Sequence, residues 1–181
     1  MRKLILLLVA ALLLASGCQM SAAPVVAPVA TSTQAPVAPS SCHLRGAGEM
    51  ALPDARCTPG VTNPEVSQGN MAQTICQRGW TRTIRPPVTY TDALKRQQMA
   101  TYSEAGTRRQ YEEDHLIPLE LGGAPSDPAN LWPEPGASPN PKDRVENALN
   151  QAVCGGQMLL AAAQRAIATD WITAGRQLGA L

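Results

Sequence analysis

The chain has little histidine, no closely spaced cysteine pair and no excess of charge of either sign, and each shortage excludes a class of site. Its two histidines, His43 and His115, lie far apart, so a metal site built from several histidines is not expected. The five cysteines include no Cys-x-x-Cys pair, which argues against a thiolate zinc site. Fifteen basic residues face fourteen acids, so any binding of an anionic partner must depend on local charge.

The N-terminal residues are typical of an export signal. A basic start precedes an apolar run from Leu4 to Leu14, which is short for a membrane span and indicates a signal peptide over residues 1–17. The small residues before Cys18 resemble a bacterial lipoprotein processing site, although Ala15 stands where leucine is usual. Lipidation of Cys18 is expected, with ordinary signal cleavage as the alternative. Gln19 then implies an outer-membrane lipoprotein facing the periplasm or the cell surface; a secreted or periplasmic soluble protein is the alternative.

Residues 18–40 follow as a Pro/Ala-rich tether, which carries no charge and no periodic pattern that could bury a core. Contact with a membrane is expected only through the lipid. Residues 41–181 have the size of one ordinary domain and contain no internal repeat. Without the two basic residues of the signal peptide, 13 basic residues remain against 14 acids, so the mature protein is close to neutral.

Local charge is uneven along this domain. Between residues 78 and 109 seven basic residues accompany two acids, whereas between residues 112 and 146 eight acids accompany two basic residues. A basic half beside an acidic half suits phosphate capture next to metal binding. Two solvated faces without a partner are the alternative, and the asymmetry taken alone favours that alternative.

If Cys18 carries lipid, four cysteines remain, and an even number in an exported chain implies two disulfides. Sequence permits three pairings. We expect Cys42–Cys57, which closes a short loop, and Cys76–Cys154, which ties two helices. Reduced, buried cysteines are the alternative.

The apolar pattern predicts an α+β domain that is mostly helical and braced by disulfides. Residues 42–63 are expected to form loops with a short hairpin. The predicted elements are a helix over 70–78, a strand over 80–84, a helix over 91–102, a strand over 111–121, an extended piece over 131–132, and helices over 143–154 and 159–172.

The most informative stretch is Asp114-His-Leu-Ile-Pro-Leu-Glu-Leu-Gly-Gly123, followed by Asn130-Leu131. It places a carboxylate beside an imidazole at the end of a strand-like run, before a Gly-Gly turn. A carboxylate can hold a hard divalent metal ion, and a neutral imidazole can take a proton from water near pH 7. Together they are the minimum for metal-assisted hydrolysis of a phosphodiester.

The longer pattern DHLIPLELGG…NLWP…KDxVE, which ends at Glu146, resembles the HNH (ββα-metal) endonuclease family, and in particular an exported branch of it. The resemblance covers roughly residues 111–150, less than a third of the mature chain. It implies a small unit of two antiparallel strands and a helix that grips one metal ion. This ββα core is expected over about 111–154, embedded in a nuclease domain over 41–181.

By position, the resemblance implies that His115 is the general base and Asp114 a metal ligand. It implies that Asn130 fixes the loop between the strands and holds His115 in orientation. Arg108 and Arg109, a few residues before the motif, are expected to pair with the phosphates that flank the scissile one, and a solvated turn is the alternative. Lys142 is expected to bind phosphate from the helix start.

The family's third signature residue, a histidine or asparagine at the helix start, has no histidine counterpart here. Asp143 is the first candidate for this metal ligand and Asn140 the second. Glu146 is a third, because it lies near Asp143 on one helix face. With oxygen ligands only, Mg²⁺ or Mn²⁺ is expected rather than Zn²⁺.

These features predict a monomeric, metal-dependent endonuclease of the cell envelope or the outside of the cell, with DNA favoured over RNA. An inactive HNH-like envelope lipoprotein that serves as a binding or scaffold module is the alternative, and the missing third histidine supports it. A metal-dependent hydrolase of another phosphate ester is a weaker third hypothesis.

Overall fold

The computed structural model describes residues 41–181, and the predicted signal peptide, the tether and Cys18 lie outside the described residues. Within this part the α-helices and strands are, in chain order, α1 (Trp80–Ile84), α2 (Val88–Thr101), β1 (Tyr111–His115), β2 (Leu131–Pro135), α3 (Pro141–Cys154) and α4 (Leu160–Gln177). The α+β class with two disulfides is confirmed. Each helix within residues 41–181 is too short or too polar to span a lipid bilayer.

Strands β1 and β2 form an antiparallel pair in which His115 lies opposite Leu131. Asp114 lies opposite Trp132, and Glu112 lies opposite Glu134. Opposite residues share a face of the sheet, and faces alternate along a strand. One side of the sheet therefore carries the side chains of Glu112, Asp114, Trp132 and Glu134. The side chain of His115 lies on the other side. The side chains of Asp114 and His115, although adjacent in sequence, therefore lie in different surroundings.

The hydrophobic core lies mainly between α3 and α4. Val145, Leu149 and Val153 recur at a spacing of four and are fully buried, as an amphipathic helix requires. Trp171 of α4 is also fully buried, and its indole N–H donates to the Ala51 carbonyl at 3.1 Å. This packing fixes α3, whose first turn contacts the sheet.

Several predicted elements differ from the structure. The strand predicted for Trp80–Ile84 is wrong: these residues form the single-turn helix α1, because alternation over five residues cannot distinguish strand from helix. The helix predicted for 70–78 is reduced to a 3-10 turn at Met71–Gln73. The strand predicted for 111–121 ends at His115, shortly before Pro118, which has no N–H to give to a sheet.

The remaining elements agree more closely. The extended piece predicted at 131–132 is the longer strand β2, and the predicted hairpin is an isolated bridge between Arg45 and Leu52. Helix α2 begins at Val88, three residues before the predicted start. Helix α4 continues to Gln177, past a break at Asp170, whose carboxylate accepts hydrogen bonds from the next turn.

The expected disulfide pairing is confirmed. Cys42 bonds Cys57, and Cys76 bonds Cys154. Cys76 lies in a turn, so the second bond ties that turn, rather than a helix, to the end of α3.

We expect the two disulfides to contribute unequally to stability. They span 15 and 78 residues, and a longer loop restricts the unfolded chain more. Replacing Cys76 and Cys154 by alanine should cost about 4.5 kcal/mol of unfolding free energy, against about 3 kcal/mol for Cys42 and Cys57. Urea denaturation of the two double variants measures the difference, and the reverse order would contradict this prediction.

Candidate functional site

The loop between β1 and β2 is fixed by the fully buried side chain of Asn130. Its Oδ1 accepts from the backbone N–H of Ile117 at 3.0 Å and of Val61 at 3.3 Å. Its Nδ2 donates to the carbonyls of Ile117 at 2.9 Å and Ala124 at 3.1 Å. A β-carbon at Gly123 would lie 1.7 Å from the Ile117 oxygen, so the Gly-Gly turn is required for this close packing.

The Pro125 carbonyl of this loop lies next to His115, a residue that is 5% exposed. The two atoms, Nε2 of His115 and the Pro125 oxygen, are 2.9 Å apart. Because a carbonyl oxygen only accepts, Nε2 must carry the proton and donate it. Nδ1 then keeps its lone pair, which is the form of imidazole that can accept a proton.

The surroundings of His115 keep the imidazole neutral. Burial lowers its pKa below the ordinary value, and the positive charges of Arg85 and Lys142 act in the same direction. The Pro125 hydrogen bond and the Asp114 carboxylate act in the opposite direction without overcoming burial. A neutral ring at pH 7 is the protonation state that a general base needs.

A groove of about 560 Å³ opens beside β1, and His115 is part of its lining. Basic and acidic side chains share its walls. The charged and titratable residues that line it are Arg85, Asp92, Lys95, Arg108, Arg109, Tyr111, Glu112, Glu113 and His115. The groove therefore combines an imidazole with four cationic side chains, an arrangement suited to a phosphate.

Two of these cationic residues were missed by sequence reasoning. Arg85 and Lys95 belong to the basic half of the chain, but nothing in the motif pointed to them. The ammonium of Lys95 donates to the carbonyls of Tyr111 at 2.7 Å and Arg108 at 3.1 Å. Lys95 thus ties α2 to the start of β1. Arg108 and Arg109, which the sequence did single out, are exposed and line the groove.

On the opposite side of the sheet, Lys142 forms an ion pair with the carboxylate of Asp114. The Lys142 side chain is fully buried, and its ammonium lies 2.6 Å from Asp114 Oδ2. It also donates to Glu146 Oε1 at 2.5 Å and to the His115 carbonyl at 2.9 Å. The indole N–H of Trp132 donates to the same Asp114 oxygen at 3.3 Å. Lys142 was expected to bind phosphate, whereas the structure leaves its ammonium no exposed surface from which to do so.

Asn140 and Asp143 form the N-terminal cap of α3. Asn140 Oδ1 accepts from the backbone N–H groups of Lys142 and Asp143, and Asp143 Oδ2 accepts from the Asn140 N–H at 2.9 Å. This reciprocal arrangement is a capping box, which satisfies helix N–H groups. Asn140 Nδ2 donates to Glu112 at 3.2 Å and Glu134 at 3.4 Å.

The predicted metal ligands do not fit a divalent ion in this arrangement. Asp114 is engaged by an ammonium, and the oxygens of Asn140 and Asp143 that face the helix are used in its cap. Among residues 41–181 no group of three or more His, Cys, Asp or Glu side chains is placed to hold a metal ion. The mechanism proposed below therefore does not use a metal ion held by Asp114, Asn140 and Asp143.

Two acids of β1 carry strongly shifted pKa values. Burial raises the pKa of Glu113 to about 8, with the Asp114 charge adding to the effect and Lys95 opposing it. Both carboxyl oxygens of Glu113 are buried without a hydrogen-bond partner in the described part of the chain. Burial likewise raises the pKa of Glu112 to about 7, with contributions from Asp114 and Asp143.

The stability of the folded protein should fall as the pH rises from about 5 to about 8. Because both folded-state pKa values exceed the ordinary 4.5, the folded protein binds more protons than the unfolded chain between about pH 5 and 8. Each acid contributes a slope of at most about 1.4 kcal/mol per pH unit. Glu113→Gln should flatten the profile and raise the unfolding free energy at pH 8. Urea denaturation from pH 5 to 9, with exposed Glu65→Gln as control, tests this; a Glu113→Gln profile parallel to wild type would contradict it.

Comparison with known proteins adds no relative. A scan against models of protein families, a search of the curated proteins and a search of the solved structures each found no match. The arrangement of the residues is therefore the basis on which a function is assigned.

Proposed function

We propose that the protein hydrolyses phosphodiester bonds of nucleic acid in the groove beside β1, with DNA favoured over RNA. The observation that carries the proposal is the imidazole of His115. Its Nε2 is held by the Pro125 carbonyl, its pKa is lowered, and the residue lines a groove whose walls carry four cationic and three acidic side chains. These are the properties of a general base beside a phosphate site.

In the proposed reaction, His115 Nδ1 takes a proton from a water molecule that attacks phosphorus opposite the leaving oxygen. The bond between phosphorus and the leaving oxygen breaks, and the leaving oxygen takes a proton from solvent water. Base catalysis of this kind typically contributes about 10²–10⁴-fold to the rate. The guanidinium groups of Arg108 and Arg109 in the groove wall bind the phosphates that flank the scissile one.

We further propose that β1, β2 and α3 form an HNH-like ββα unit. The chain order is the one that the resemblance implies, and Asp114 and His115 end β1 while Asn130 directly precedes β2. The proposed hydrolysis uses the side chains of the groove alone. The assay below also tests whether cleavage requires the Mg²⁺ or Mn²⁺ that the resemblance implies.

The proposed setting is the bacterial cell envelope, where the protein acts as a monomer. Two disulfides are typical of an oxidising compartment. A lipid on Cys18 would hold the domain at the outer membrane, and a secreted or periplasmic form without lipid is the alternative.

The function is tested with the oxidised protein on circular plasmid DNA and on single-stranded RNA. Each substrate is offered in EDTA, in Mg²⁺ and in Mn²⁺, and cleavage is followed by gel electrophoresis. We expect nicking and then linearisation of the plasmid. Absence of cleavage of both polymers under all three conditions would overturn the proposal.

The groove arginines should affect substrate binding more than turnover. Replacing Arg108 and Arg109 together by alanine should raise KM about tenfold and weaken its dependence on salt, because two phosphate contacts are lost. Arg144→Ala is the matched control, since Arg144 is exposed on α3 and does not line the groove. An unchanged KM in the double variant would place the substrate elsewhere.

A non-catalytic binding or scaffold module is the second candidate, and one observation favours it. Lys142 engages the Asp114 carboxylate that the resemblance assigns to a metal ion. A protein of this class would show no cleavage and would bind wall material or a partner protein instead.

A further inference from the structure

Lys142 is unusual because a lysine side chain is almost never fully buried unless it is paired. Its relative exposure is 0%, although it lies in the first turn of α3. Three oxygen atoms surround its ammonium: Asp114 Oδ2, Glu146 Oε1 and the His115 carbonyl. An ammonium has three N–H donors, so each of them has an acceptor.

We propose that the ammonium of Lys142 is the resident cation of the β1–β2–α3 unit, in the place where the resemblance expects a divalent metal ion. The unit then keeps its geometry without a divalent ion. The proposal concerns the occupancy of a cation position, so it does not depend on the proposed cleavage of nucleic acid.

Electrostatics support a permanently charged Lys142. Burial by itself lowers its pKa, but the carboxylates of Asp114, Glu146 and Glu134 outweigh burial and raise the pKa above its ordinary value. Burial and the charge of Asp114 raise the pKa of Glu134, whereas the ammonium of Lys142 lowers it. The ammonium is therefore the positive charge that balances the acids on this face of the sheet.

Coordination geometry argues against a divalent ion at the same position. Mg²⁺ needs near-octahedral oxygen ligands at about 2.0–2.1 Å. The oxygens of Asp114 and His115 lie at 2.6 and 2.9 Å from the lysine nitrogen, which already fills the space between them. A divalent ion placed beside the ammonium would be repelled by it. Entry of a metal would require the buried Lys142 side chain to leave.

The same contact makes Lys142 a positioning residue for His115. Its ammonium donates to the backbone carbonyl of His115, a residue that also lines the groove. Lys142 thus fixes the backbone at position 115 from α3, as the loop fixes the ring through Pro125.

The test measures divalent ions directly in the oxidised protein. Mn²⁺ binding to wild type is followed by electron paramagnetic resonance, and thermal denaturation is recorded in EDTA and in millimolar Mn²⁺. We expect no stoichiometric Mn²⁺ site and a shift in Tm below about 1 °C. One bound Mn²⁺ per chain that is lost in Asp114→Asn, or stabilisation of wild type by Mn²⁺, would overturn the proposal.

Two variants of Lys142 sharpen this test. Lys142→Ala removes the cation and opens space among oxygen ligands, so Mn²⁺ should raise its Tm by about 5 °C or more. Lys142→Met fills the space without charge and should gain nothing from Mn²⁺. Equal responses of the two variants would contradict the assigned position. If neither variant folds, the wild-type measurements alone decide, and they do so whether or not the protein cleaves nucleic acid.

Discussion

His115→Ala should lower the rate of phosphodiester cleavage at least about 100-fold. The variant removes the imidazole whose Nε2 is tied to Pro125 and whose other nitrogen is proposed to take the proton of the attacking water. The loss should appear in kcat, because a general base acts during the chemical step rather than in substrate binding. Plasmid nicking and steady-state kinetics on a fluorescent oligonucleotide measure it.

The chain offers a matched control in its only other histidine. His43 is exposed and does not line the groove, so His43→Ala should retain wild-type rates. Circular dichroism and thermal denaturation of both variants separate loss of chemistry from loss of fold. Cleavage by a folded His115→Ala at the wild-type rate would exclude His115 as the base.

Asn130→Ala should destabilise the protein by about 4 kcal/mol or more. The side chain makes four hydrogen bonds in a fully buried position, and its removal leaves backbone groups of Ile117 and Ala124 without partners. Each unsatisfied buried group costs about 1–3 kcal/mol. Because the same loop carries Pro125, cleavage should fall along with stability.

Exposed Asn147 provides the comparison for this variant. Its amide donates a single hydrogen bond to the Asp143 carbonyl within α3, so Asn147→Ala should cost less than about 1 kcal/mol. Urea denaturation of both variants gives the two values. A cost for Asn130→Ala as small as that for Asn147→Ala would show that the loop does not depend on this amide.

The sequence predicted the parts of the fold that follow from local pattern. Val145, Leu149 and Val153 repeat at a helical spacing, and the structure buries all three. Where the pattern was short, as at Trp80–Ile84, five residues could not distinguish a strand from one turn of helix. The residues around 114 and 130 were located by a motif rather than by periodicity.

The surroundings of the candidate site could not be predicted in the same way. A lysine at a helix start is ordinarily solvated, so Lys142 was assigned to phosphate. Its burial depends on the distance between α3 and β1, which the strand register and the packing of α4 determine. Lys95 reaches the groove for the same kind of reason, since α2 packs against the sheet beside β1. Arg85 lies directly after α1, in the short connection to α2.

The most direct test of the account is the protonation state of the His115 imidazole, observed by nitrogen NMR of the histidine side chains. With only two histidines in the chain, His43→Ala assigns the two sets of signals. The account predicts a neutral His115 ring protonated on Nε2, with a pKa below 6.5. A ring protonated on Nδ1, or a pKa above that value, would contradict it.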